Sequence, residues 1–183
     1  MTLATLLIEK KTVILKRWFD SILETYPSDT RKFFKKKKDQ FANPVGYTLS
    51  KETENLFDEL LNEADLISER VDPVLDRIIR IRAIQDLCPS EAISFIYPLK
   101  KSVREVLREE GYDIESSDEF FDLESKIDKL VLMSFDIYMK CREKMYEISA
   151  NHSRNQVSSL LRKTGLICDI PEWAPESMDD KTV

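Results

Sequence analysis

From Tyr112 to Thr164 the chain contains neither glycine nor proline, and most of that stretch is patterned as one long helix. A helix of about forty-five residues, rising 1.5 Å per residue, spans nearly 70 Å, far beyond the three to four turns of an average globular helix. Part of it must therefore pack against something other than its own domain. Ser116 or Ser117 is placed to cap its start, and Asp118 and Glu119 suit the positive end of its dipole. Leu123, Ile127, Leu130, Ser134, Ile137, Cys141, Met145 and Ile148 follow in steps of three and four, as a coiled-coil-like seam would. We expect this seam to carry core and dimer contacts. Between Leu130 and Met139 the helix is apolar almost all round, the pattern of a helix enclosed by neighbours. Beyond Met145 the apolar residues thin to one stripe, and Val157, Leu160 and Leu161 are expected to dock a partner.

The preceding segments also read as helices. Leu3, Leu6, Leu7, Ile14, Trp18, Ile22 and Leu23 predict one amphipathic helix over Leu3 to Tyr26, stopped by Pro27. Ser28 reads as the N-cap of a short helix carrying Phe33 and Phe34, followed by a solvated basic turn, Lys35 to Lys38. Asn43 and Pro44 read as N-cap and first helical residue of a helix burying Val45, Leu49, Leu56, Leu60 and Leu61, with Gly46 allowing close packing. Asp72 and Pro73 repeat that signal for a helix burying Val74, Leu75, Ile78, Ile79, Ile81, Ile84 and Leu87. Pro89 opens the next, ending at Gly111 as a C′ residue, with a kink at Ser94 to Pro98 because Pro98 lacks an N–H and crowds the preceding turn. The reading is all-α: a helical domain over residues 1–164 with a mobile acidic tail over 165–183, where Trp173 is the one anchor among five acidic residues.

Composition narrows the function classes. With 42% hydrophobic and 34% charged residues and a net charge of −6, the chain can build a core and is ill suited to phosphate-rich partners, so no nucleic acid is expected. No apolar run approaches the eighteen or so residues that span a bilayer, so no integral membrane segment is expected and a cytoplasmic location follows. Cys88, Cys141 and Cys168, odd in number and without a C-x-x-C pair, fit a reducing compartment. With His152 the single histidine, di-iron bundles, zinc sites and a haem axial histidine in the apolar region are disfavoured, and no cofactor is expected. Glycines at 46, 111 and 165 only exclude a phosphate-cradling loop. Cys141 and the Asp72, Asp76 and Arg80 set read as buried thiol and ion-paired helix residues rather than as catalysts. No enzymatic activity is expected.

Three blocks go beyond pattern: FANPVGYTL at Phe41 to Leu49, LDRIIRIRAIQDLCPSEAISFIYPLKKSVRE at Leu75 to Glu105, and FDIYMKCREKMYEI at Phe135 to Ile148. Together with Lys10, Ile14, Arg17 and Trp18 they resemble the RsbRD-type N-terminal domain, the input domain of the RsbT co-antagonists of bacterial stress signalling. The resemblance implies a globin-like helical fold without haem, homodimers, and a sensory role. In such proteins a STAS domain with phosphorylated threonines follows, whereas here about twenty residues follow the long helix, so the output function is expected on a separate partner protein. Pro98 departs from the family pattern at a position where an ordinary apolar residue is expected. At matching positions Arg82, Gln85, Asp86, Tyr138, Lys140, Arg142 and Tyr146 are candidates for interaction.

The leading reading is thus a non-enzymatic bacterial signalling module acting by dimerisation and partner binding. A second is a small-molecule sensor with a pocket near Phe95, Ile96, Phe135 and Met139 for a lipid or haem. A third is an accessory subunit of a metabolic or membrane-associated complex.

Overall fold

A computed structural model describes residues 2–36, 39–62, 66–85 and 87–165, and the expected acidic tail lies outside them. Its elements are helices: α1 (Leu3–Glu9), α2 (Lys11–Glu24), α3 (Ser28–Lys36), α4 (Pro44–Leu61), α5 (Ser68–Ala83), α6 (Pro89–Ile93), a 3₁₀ turn (Ser94–Ile96), α7 (Tyr97–Glu109) and α8 (Asp118–Lys163). The all-α class with a long C-terminal helix is as the sequence indicated. Contacts divide the chain after Glu143 into two units. That division falls inside α8, whereas the boundary expected at 164/165 marks where helical periodicity ends.

In the first unit the expected helix Leu3 to Tyr26 is two helices. The chain breaks at Lys10, with φ −95° and ψ 5°. Leu3 N donates to Glu119 Oε2 at 3.0 Å and Lys10 Nζ sits 2.6 Å from Glu110, so both ends of α1 are tied to distant parts of the chain. Because the break preserves the spacing of Leu3, Leu6, Leu7, Ile14 and Trp18, all buried, periodicity alone hides it. α3 starts at Ser28 itself and takes in Lys35 and Lys36, so half of the supposed basic turn is helical.

α4 begins as read: Pro44 opens it and Asn43 Oδ1 accepts from Gly46 N at 3.0 Å. A Cβ on Gly46 would strike the Asn43 side chain, so the close approach that glycine permits is to its own cap. α5 starts a turn earlier than Asp72, with Pro73 in its interior. Val71, fully buried, holds that extra turn on the core, and Pro73 leaves the Glu69 carbonyl without its usual donor. At the other end Ile84 is 74% exposed, since the helix has stopped at Ala83, and its expected place inside is taken by Arg82. Glu52 of α4 and Arg77 of α5 form a forked pair at 2.6 and 2.9 Å, a geometry that fixes register as well as charge.

The kink predicted at Ser94 to Pro98 is present as the 3₁₀ turn between α6 and α7. Carbonyls at the break are met from outside: Trp18 Nε1 donates to Phe95 O at 2.6 Å, and Arg82 donates through Nε to Ala92 O at 2.7 Å and through Nη2 to Glu91 O at 2.8 Å, which also accepts from Ser94. α7 ends in a Schellman motif, Gly111 at φ 70° donating to Arg108 O and Tyr112 N to Leu107 O. Ser117 Oγ then accepts from Phe120 N at 3.2 Å and caps α8. Lys100 with Asp128 and Arg104 with Glu124 join α7 to the first turns of α8.

Candidate functional site

α8 supplies most residues that the sequence singles out, and the structure divides them. Leu123, Ile127, Leu130 and Ile137 are buried, together with Phe120, Val131, Ser134 and Tyr138. Cys141 is half-buried, while Met145 and Ile148 are exposed. The first half of the seam is therefore internal core. On the distal part Val157 and Leu160 are exposed and Leu161 is half-buried.

The stretch Leu130 to Met139 is not enclosed all round, contrary to its composition. Leu132 is 68% exposed, Phe135 44% and Met139 38%. Steps of three and four place these three on one side of the helix, away from Leu130 and Ile137. Of the residues grouped as a pocket, Phe95 and Ile96 lie in the core, whereas Phe135 and Met139 face solvent. Helical spacing puts the second pair on one side of α8 with Leu132.

Arg82 shares the face of Ile78 and Ile79, and the structure shows a charged residue kept inside on that face. Flanked by apolar residues, it is 0% exposed, with its guanidinium 5.9 Å from the Tyr26 ring centre and 5.7 Å from that of Phe95. Burial pushes its pKa down from the usual arginine value, with Tyr26 and Glu91 opposing the shift. Two of its nitrogens satisfy carbonyls at the end of α6, so it clamps α5 to the α6–α7 break and is not available at the surface. Tyr138 is likewise buried, Lys140 is exposed, and Asp86 lies outside the described residues.

The remaining chemical candidates are placed as follows. The Cys141 thiol is pushed up by burial, with Asp76 adding to the shift and Arg80 opposing it, which disfavours the nucleophilic thiolate. Asp76 Oδ2 and Arg80 Nε pair at 2.5 Å within α5. His152 is exposed, its Nε2 2.8 Å from Gln156 Nε2. Among the described residues no three His, Cys, Asp or Glu side chains gather as a metal site, and no helix is long and apolar enough to cross a membrane.

The geometry is that of a helical body with an apolar stripe on its last helix. The model of the RsbT co-antagonist protein rsbRD N-terminal domain matches residues 12–152, from the start of α2 to well along α8. The chain belongs to the RsbRD N-terminal domain family. This family places it in signalling of the partner-switching, stressosome type. The match takes in the Asn43 cap, the Arg82 clamp and the exposed stripe of α8. No curated protein and no solved structure matches the chain.

Proposed function

We propose that this chain is a non-enzymatic, cytoplasmic signalling input module that forms a homodimer through α8 and binds a partner protein carrying the output. The observation that carries this reading is the row Leu132, Phe135 and Met139, solvent-facing on a helix whose other side is core. A contiguous apolar row on a surface helix marks an interaction site more often than scattered exposure does. The seam residues Leu123, Ile127, Leu130 and Ile137 hold the fold, so dimer contacts fall to Leu132, Phe135 and Met139 on the other side of the helix. Val157, Leu160 and Leu161 are assigned to partner docking on the distal unit.

Light scattering and native mass spectrometry of the full chain test the dimer. The expected result is twice the chain mass in the parent and a monomer for Phe135→Glu, with an unchanged circular dichroism spectrum. A parent that remains monomeric at high micromolar concentration sinks the proposal. Docking is tested with Leu160→Glu, which should lower partner capture while leaving the dimer mass intact.

A further inference from the structure

Between α2, α3 and α4 the surface opens into a groove of about 690 Å³, within the roughly 300 to 1,000 Å³ of small-molecule sites. Leu15 and Phe19 of α2, Phe34 of α3 and Tyr47 of α4 line it. Leu15, Phe19 and Phe34 are half-buried, resting on the core with part of their surface left in water. Phe34 is held in place, its ring edge-on to Tyr26 at 5.4 Å and its carbonyl accepting from Asn43 Nδ2 at 3.2 Å. The apolar wall is thus largely preset, and a ligand that covered it would gain burial without first ordering the site.

The charges at the rim define the ligand class. Lys35 pairs with Asp20 at 2.7 Å, and Lys51 at 3.4 Å shares Glu54 with Lys11 at 3.3 Å, so these charged groups lining the groove are already engaged in ion pairs. Lys16 also lines the groove and has no carboxylate partner among the described residues. Thr12, one turn earlier on α2, brings a hydroxyl to the same lining. From Thr12 to Phe19 the trough runs about 10 Å along α2 at 1.5 Å per residue.

From an apolar trough with one unpaired cation at its rim, we infer that this groove binds a monoanionic amphiphile, a free medium-chain carboxylate. Its chain lies along Leu15, Phe19, Phe34 and Tyr47, and its acid group meets Lys16 beside Thr12. A multiply charged ligand would bring more negative charge than the one free cation among the described lining residues offsets. Burying a neutral chain alone would leave Lys16 without a role. The site contains no residue of α8, so it goes beyond the dimerisation reading and stands or falls apart from it.

The neighbouring Trp18, whose Nε1 holds Phe95 O, provides a reporter. In the full chain carrying Trp173→Phe, sodium decanoate below its micellar concentration is titrated by Trp18 fluorescence and calorimetry. The expected result is saturable binding of one decanoate per chain, weakened at least tenfold by Lys16→Glu and similarly when decanol replaces decanoate. Ser50→Trp, which fills the groove from α4, should abolish binding while keeping the parent melting temperature. Phe135→Glu should leave the affinity unchanged, which separates this site from the dimer surface. Non-saturating uptake, equal binding of decylammonium, or parent affinity in both Lys16→Glu and Ser50→Trp overturns the inference. So does sedimentation with phosphatidylglycerol vesicles without binding of monomeric decanoate, which would assign the groove to a membrane surface.

Discussion

Between Phe120 and Tyr138, α8 buries Phe120, Leu123, Ile127, Leu130, Val131, Ser134, Ile137 and Tyr138. Between Met145 and Leu161 the same helix exposes Met145, Ile148, Val157 and Leu160. Both stretches have apolar residues at helical spacing, yet one is core and the other is surface. The difference is in what the other helices bring. The first stretch is met by Leu3 N at Glu119, by Lys100 and Arg104 from α7, and by the carbonyl of Asn62, which accepts from Lys126. Along the distal stretch the Lys144–Glu147 ion pair and the hydrogen bond between His152 and Gln156 are local to the helix. Spacing therefore tells which residues share a face and leaves open what that face meets.

The largest expected effect comes from cutting a side chain in each stretch. Leu130→Ala removes a fully buried leucine and should cost about 2 to 5 kcal/mol. Leu160→Ala, at 62% exposure, should change monomer stability by no more than about 0.5 kcal/mol. Urea unfolding of the two variants measures both, and equal losses would break the contrast. A loss for Leu160→Ala that grows with protein concentration would move Leu160 from partner docking to a contact between copies and overturn that assignment.

Hydrogen exchange gives the next effect. Amides from Leu123 to Tyr138 should be protected to near the global stability of the body, and those from Ile148 to Lys163 should exchange faster by at least tenfold in a monomeric variant such as Phe135→Glu. Matching protection in both stretches of that monomer would show that the distal helix needs no partner.

The smallest effect is a pH dependence. Glu109 is held below the usual carboxylate range by its hydrogen bond to Arg17, and Glu54 by its bond to Lys11. Each joins different helices of the body. A carboxylate lowered on folding contributes stability above its unfolded pKa and loses it as pH falls through its lower folded pKa. The melting temperature should therefore fall gradually on acidification from the ordinary carboxylate range downward. Arg17→Ala should flatten the part due to Glu109. Glu147, lowered by Lys144 in the neighbouring turn, should leave the body's melting curve unmoved when changed to Gln, and a shift there would tie the distal unit to the body.

The helical class, the caps at Asn43 and Ser117, the break forced by Pro98 and the Schellman end at Gly111 were all readable from the chain, because each depends on residues within about five positions. The family was readable for a related reason: its conspicuous blocks are the segments that must cap, kink and pack in one way. The Lys10 break and the early start of α5 were not readable, since distant partners at Glu119 and Glu110 and the burial of Val71 outweighed local signals. Arg82 shows the same limit. Four residues after Ile78 and three after Ile79 it shares their buried face, opposite Arg80, but spacing does not reveal the carbonyls of Glu91 and Ala92 that receive its charged group there. The sequence by itself determined that this protein is helical, that Asn43 caps α4 and a serine caps the last helix, and that this helix outruns an ordinary domain. Only the tertiary structure decided how far along that helix the core extends, which carbonyls receive Arg82, and where an apolar groove stays open. Those outcomes depend on side chains far apart in the chain excluding water together, and a periodic pattern records direction without recording the neighbour.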